Sequence, residues 1–235
     1  MTPTLITIPT SHYCEKVRWA LDRARIDYVE KPHAPVISRF RYGGSVPILY
    51  TGDGELRDST PILEWVHRRY PLFEGDAAKL EDRFDEGLGV TARVVAFEYI
   101  ACERPLALRI SIRGVPRWEQ LFARAFFGMA AGMLRRRYQV SDEAVQRSLG
   151  ELRREFDDVS ARLGDGRRFL CGDKLTAADI TFAALAGPVL LPDGARASHP
   201  TLDEAPPRLA ALARELRATP AGAFALRLYA EERGV

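Results

Sequence analysis

The stretch Ser11-His12-Tyr13-Cys14-Glu15-Lys16-Val17-Arg18 sets a hydroxyl three residues ahead of a thiol. It falls where a short β-branched run, Leu5-Ile6-Thr7-Ile8, ends at Pro9 and a helical pattern begins. A helix N-terminus has unpaired N–H groups and the positive end of the helix dipole, so it favours an anion. A hydroxyl at that point can donate to a thiolate. A thiol of pKa about 8.5 is only roughly 3% ionised at pH 7, and lowering it by about two units takes roughly 2.7 kcal/mol of selective stabilisation. One hydrogen bond to a charged group gives about 1.5–3 kcal/mol and a helix terminus about 1–2. The chemistry therefore needs no general base. Plain capping of the helix is the competing role for Ser11.

Cys14 sits at the same N-terminus, a setting that lowers a thiol's pKa. It also lies beside the apolar face, which suits a small buried residue. Tyr13 is expected to pack, and His12 to stand in a solvated loop. Cys102 and Cys171 have no metal-ligand spacing and are expected in the core. Asp58-Ser59 precedes a helical pattern and suits capping. Arg39 and Arg41 precede the loop Gly43-Gly44-Ser45 and can meet a carboxylate or solvent alike. Arg135-Arg136-Arg137 reads as an exposed helix face. Thr176-Ala177-Ala178-Asp179 is a capping box with Leu175 and Ile180 at the staple positions, which gives Asp179 a structural role.

These residues are held by two halves of different grammar. Leu5–Ile8 reads as a strand, the pattern after Ser11 as a helix with Tyr13, Val17 and Leu21 on one face, and Tyr28-Val29-Glu30 as a second strand. Strand, helix, strand in that order predicts a right-handed parallel unit. A loop region follows. Val46–Tyr50 and Glu55–Arg57 flank Thr51-Gly52-Asp53-Gly54, a hairpin, and a helix starts at Ser59 with Pro61 in its first turn. Beyond Pro71 the strands vanish. Helical periodicity runs over 77–110, 118–138, 142–163, 177–185 and 208–217, so Leu72–Asp76 divides residues 1–75 from 77–235.

The chain's 235 residues suffice for a sizeable core. Its 34 Lys+Arg against 32 Asp+Glu give a formal charge of +2, which offers no general grip on nucleic acid. The start lacks a basic, apolar leader, and the longest apolar run, 180–192, is too short to span a bilayer. A soluble protein of a reducing compartment, the cytoplasm, is the expectation.

The strand, the S-x-x-C-x-x-V-R helix start, Val46-Pro47, Asp58-Ser59 and the helical second half, in this order over the whole chain, resemble a cytosolic glutathione transferase of the serine type. The resemblance implies an α/β thioredoxin-like N-terminal domain followed by an all-α helical bundle. It implies glutathione as cosubstrate, with Ser11 activating its sulfur and no metal. Val46 then pairs with the cysteinyl backbone ahead of a cis Pro47, while Asp58 meets the α-amino group and Ser59 the γ-glutamyl carboxylate. Asp58 departs from the family's more usual glutamate. A small hydrophobic electrophile is expected between the halves, near Phe97, Tyr99 or Glu103, and a homodimer is implied. A binding or assembly protein on the same fold, or a thiol oxidoreductase working through Cys14, are the alternatives.

Overall fold

The computed structural model describes residues 2–43 and 46–234. Gly44 and Ser45 of the expected loop lie outside the described residues. The first half runs β1 (Thr4–Thr7), α1 (His12–Arg23), β2 (Val29–Pro32), α2 (Pro35–Tyr42), β3 (Ile48–Thr51), β4 (Gly54–Arg57) and α3 (Ser59–His67). The four strands lie in the order β2-β1-β3-β4. β1 and β2 are parallel, Thr4 opposite Val29 and Thr7 opposite Pro32. β3 is antiparallel to both β1 and β4. A parallel neighbour requires a crossover, and α1 supplies it. That crossover sets the N-terminus of α1 at the carboxyl end of β1, where Ser11 stands.

α2 occupies the segment expected to be a loop. Pro35 stands in its first turn and Gly43, left-handed at φ 70°, closes it by donating to the Arg39 carbonyl at 2.9 Å. Ser38 is its sole buried residue, so its apolar periodicity is weak.

The remainder is helical: α4 (Ala77–Arg83), a π-helical turn (Phe84–Leu88), α5 (Gly89–Ala101), α6 (Arg104–Ser111), α7 (Arg117–Ala125), α8 (Phe127–Arg137), α9 (Asp142–Arg162), α10 (Ala177–Leu190), α11 (Pro207–Arg217) and α12 (Pro220–Glu231). The pattern over 77–110 is thus not one helix. It loosens at the π turn and breaks at Cys102-Glu103. Cys102, expected in the core, is exposed there because the packed face ends with the helix, whereas Cys14 is buried and Cys171 half-buried. α12 escaped the sequence reading. Thr219 caps it by accepting from the Gly222 N–H at 3.0 Å.

α10 is buried along its length except at Pro188. A helix that is apolar all round belongs at the centre of a bundle, which accounts for the chain's longest apolar run. It continues through Gly187-Pro188 instead of stopping before them, at the cost of the Ala184 carbonyl's intrahelical partner. The capping box at its start is formed, and Asp179 also accepts from the Leu170 N–H at 2.7 Å. One apolar core joins the halves, from Leu5, Val17 and Ile62 to Leu152, Phe182 and Phe224. Among the described residues no helix is long and apolar enough to cross a membrane.

Candidate functional site

The first turn of α1 is fixed from several sides. Ser11 caps it in an extended conformation, its Oγ accepting from the Cys14 N–H at 3.2 Å. A hydroxyl has one proton and two lone pairs, and this cap uses one lone pair. The cap does not use the Ser11 proton, so capping and donation to a thiolate are compatible. Glu15, wholly buried, accepts from the Arg196 and Ala197 N–H groups at 3.1 and 2.8 Å and from Arg233 Nε at 2.7 Å. The Ser198 N–H donates to the Pro9 carbonyl at 2.7 Å. The C-terminal chain is therefore strapped across the helix start that carries Ser11.

His12 is not in a solvated loop. It is buried, with Nε2 2.9 Å from the Gly89 carbonyl oxygen. Burial, assisted by the charge of Arg93, pushes its imidazole down to about 3. The ring is neutral at ordinary pH, and its Nε2–H donates to Gly89. Tyr13 donates its hydroxyl to the Asp85 carbonyl at 2.9 Å, and burial pushes its phenol well up. That proton is committed, so Tyr13 does not compete with Ser11 as a donor. Gly89 makes this packing possible, since a Cβ there would lie 2.3 Å from the Tyr13 hydroxyl. The π-helical turn supplies the Asp85 carbonyl and the start of α5, directly after it, the Gly89 carbonyl, in keeping with the association of such turns with functional sites.

The Val46-Pro47 peptide is cis. Val46 lines, with Ser11, a cleft between the two halves. Among the described residues its backbone has no backbone partner. Asp58 donates its N–H to the Pro47 carbonyl at 3.1 Å, which sets Asp58 and Ser59 beside Val46-Pro47 but outside the cleft lining. Asp58 takes the left-handed φ of 79°, uncommon for a residue with a side chain, and its Oδ1 accepts from the Ser59 N–H at 2.6 Å. Ser59 is buried and its Oγ accepts from Lys16 Nζ at 3.2 Å. Lys16, also buried, is ion-paired with Glu81 and, at 2.5 Å, with Asp85. Burial raises the Glu81 carboxyl against the pull of Lys16.

Between the halves lies a mostly apolar cleft of about 290 Å³, with Ser11 and Val46 on one wall and Phe97, Phe126 and Phe127 on the other. Of the residues considered for the acceptor side, Phe97 faces it. Tyr99 packs instead toward Leu191 and Leu209, and Glu103 is an exposed cap of α6. Arg39 lines the cleft, while Arg41 lies over the Tyr42 ring at 5.8 Å. The basic run is not a uniformly exposed face. Arg135 is half-buried and pairs with Glu98 at 2.6 Å, while Arg136 and Arg137 are exposed, Arg137 lining the cleft. Arg93 was missed by sequence reasoning. It lies over the Tyr138 ring at 4.7 Å and the Tyr13 ring at 5.9 Å. Its signal was a lone charge set among Val94, Val95 and Ala96, one helical turn before Phe97.

A thioredoxin-like sheet whose first helix starts on a hydroxyl, closed against a helical bundle by an apolar cleft, defines a glutathione-transferase architecture. Residues 5–76 match the glutathione S-transferase N-terminal domain family and residues 142–215 the C-terminal domain family. Comparison with curated proteins finds no significant match. Among solved structures, a glutathione S-transferase from Rhodospirillum rubrum F11 is similar at 19% identity and a TM-score of 0.56, over 97% of this chain and 98% of that one. A glutathione S-transferase from Methylobacillus flagellatus KT, solved with glutathione bound, is similar at 21% identity and a TM-score of 0.53, over 95% and 98%. Glutathione transferase F7 from Populus trichocarpa is similar at 15% identity and a TM-score of 0.56, over 99% and 100%. The chain belongs to the glutathione S-transferase superfamily.

Proposed function

We propose that this superfamily member is an active glutathione transferase of the serine type. The observation that carries the reading is the Ser11 hydroxyl at a helix N-terminus, lining the cleft, whose cap on the Cys14 N–H uses a lone pair and not its proton. Glutathione, when bound, supplies the sulfur nucleophile, whose attack on an electrophilic carbon forms a C–S bond while the leaving group departs with the bonding pair. Ser11 donates to that sulfur as the thiolate, and the α1 dipole and the Arg93 charge favour the same ionised form. Val46 offers its backbone groups to a cysteinyl peptide as an added strand would. Asp58 offers a carboxylate to an α-amino group. The Ser59 N–H becomes open to a γ-glutamyl carboxylate once Asp58 turns from it to that amine.

The same reading places the glutathione side in residues 1–75 and the electrophile side in 77–235, in a cytoplasmic homodimer that acts on a small hydrophobic molecule. No metal or covalent enzyme intermediate enters the scheme. Cys14 takes no part, because burial pushes its thiol up and keeps it from the cleft. The test is a pH titration of the thiolate absorbance of bound glutathione, with Ser11→Ala alongside. A bound thiol titrating well below the free one, and returning toward it in Ser11→Ala, supports the reading. Absence of glutathione binding overturns it and favours a binding or assembly role.

A further inference from the structure

Three guanidinium groups from separate elements bear on one phenol. Arg93 of α5, Arg137 of α8 and Arg39 of α2 all oppose, by their charge, the upward push that burial gives the Tyr138 hydroxyl. All three line the cleft, and no aspartate or glutamate lines it among the described residues. Along α8, half-buried Arg135 finds Glu98, whereas Arg137, two residues on, is exposed, lines the cleft and has no carboxylate partner among the described residues. Arg93 is the most confined of the three. Its Nε is buried without a hydrogen-bond partner, and its guanidinium is held by the faces of Tyr138 and Tyr13. Aromatic faces offset part of the cost of taking a cation out of water, but a desolvated cation without a counter-charge stays unfavourable. An incoming anion relieves that cost, and the planar fork of arginine suits a carboxylate or sulfonate. Around the three charges the wall is apolar, with Phe122, Phe126, Phe127 and Leu134 closing the far side.

We propose that this cleft takes an apolar ligand bearing one anionic group, a carboxylate or sulfonate, seated among Arg93, Arg137 and Arg39 with its apolar body against the phenylalanines of α7 and α8. Under the transferase reading, on which this part rests, that ligand is the electrophile. A neutral apolar molecule then fills the wall but leaves the three cations unpaired.

Two experiments test this. In the first, glutathione is saturating and 4-chloro-3,5-dinitrobenzoate is compared with its methyl ester. In each, the thiolate forms the C–S bond and chloride leaves with its electron pair. Each kcat/KM is divided by the uncatalysed rate constant, which removes the difference in intrinsic reactivity. The expected preference for the acid is about tenfold, the size of one well-formed charged contact, and it falls several-fold in Arg137→Gln and in Arg39→Gln. Arg39 is exposed, so its variant leaves the core untouched. An ester turned over as well as the acid overturns the proposal and leaves the transferase reading standing.

The second experiment needs no turnover. Binding of 8-anilinonaphthalene-1-sulfonate is compared with that of the uncharged N-phenyl-1-naphthylamine, with and without glutathione. The sulfonate is expected to bind about tenfold more tightly, to lose that margin in Arg137→Gln, and to remain bound beside glutathione. If glutathione expels the sulfonate and Arg137→Gln weakens glutathione itself, the cations serve the carboxylates of glutathione and the proposal fails. If glutathione never binds while the sulfonate margin persists, the transferase reading fails and the site for apolar anions stands.

Discussion

Replacing Ser11 by alanine removes two things that differ in their dependence on pH. The first is the cap on the Cys14 N–H. Its loss costs about 1 kcal/mol, which in a chain of this size lowers Tm by about 2–4 °C. The second is the proton offered to the bound sulfur. A hydrogen bond to a charged group is worth about 1.5–3 kcal/mol, and 1.36 kcal/mol is one pKa unit, so the bound thiol rises by about one to two units. Starting from about 6.5, that leaves roughly 1–10% thiolate at pH 6.5 in place of half, a loss of about five- to fiftyfold in kcat/KM. Near pH 9 and above both forms are largely ionised and the two profiles converge. The assay is kcat/KM against pH for wild type and Ser11→Ala, with Tm measured on the same samples. Ser11→Asp separates the two roles, because aspartate caps as well as serine but has no proton to donate at neutral pH. It is expected to regain Tm without regaining the low thiol pKa. A Ser11→Ala profile lowered equally at every pH, or a Ser11→Asp variant that recovers both properties, would refute the reasoning.

Burial, with the charge of Arg93, holds the folded His12 imidazole down at about 3, below its ordinary 6.5. A depressed value means that its neutral form stabilises the fold above pH 6.5 and that this contribution shrinks as the pH falls toward 3, by about 1.4 kcal/mol per unit. His12→Asn, which keeps a donor for Gly89 but does not titrate, should flatten the fall in Tm between pH 7 and pH 5. Gly89→Ala would set a Cβ 2.3 Å from the Tyr13 hydroxyl and 2.7 Å from its Cζ. The expected cost is about 1–3 kcal/mol, read as a lowered Tm with activity reduced because the α1 start shifts. Exposed Cys102 should be alkylated rapidly in the native protein while buried Cys14 reacts only on unfolding, which intact mass over time resolves.

What the sequence disclosed follows from how local each signal is. The Ser11 turn was legible because a β-branched run, a proline and a capping hydroxyl stand within a few residues of one another. The Thr176–Asp179 box was legible for the same reason. His12 was misread because its partner, the Gly89 carbonyl, lies far along the chain at the start of α5, just after a π-helical turn that no local pattern announces. Cys102 was misread because apolar periodicity continues past the point where Glu103 breaks the helix. Lys16 looked like one basic residue among many. Its burial is legible only once α1, α3 and α4 come together around Glu81 and Asp85.

The two walls of the cleft differ in the same way. Ser11, Val46, Asp58 and Ser59 all lie within residues 5–76, the span that matches the N-terminal domain family. Arg93, Phe97, Phe126 and Arg137 lie between the two matched spans, in the stretch from 77 to 141. That stretch is built of short helices, and α8 has no buried residue. Superfamily membership therefore bears on the sulfur side and is silent about the acceptor side. Near-balanced charge over the whole chain is silent as well, since a net charge of +2 conceals a cleft that, among the described residues, is lined by three arginines and no carboxylate. The substrate class has to be read from where those arginines end up: Arg39 and Arg137 are exposed along the cleft, and Arg93 keeps a buried Nε without a partner, which is costly until an anion meets it.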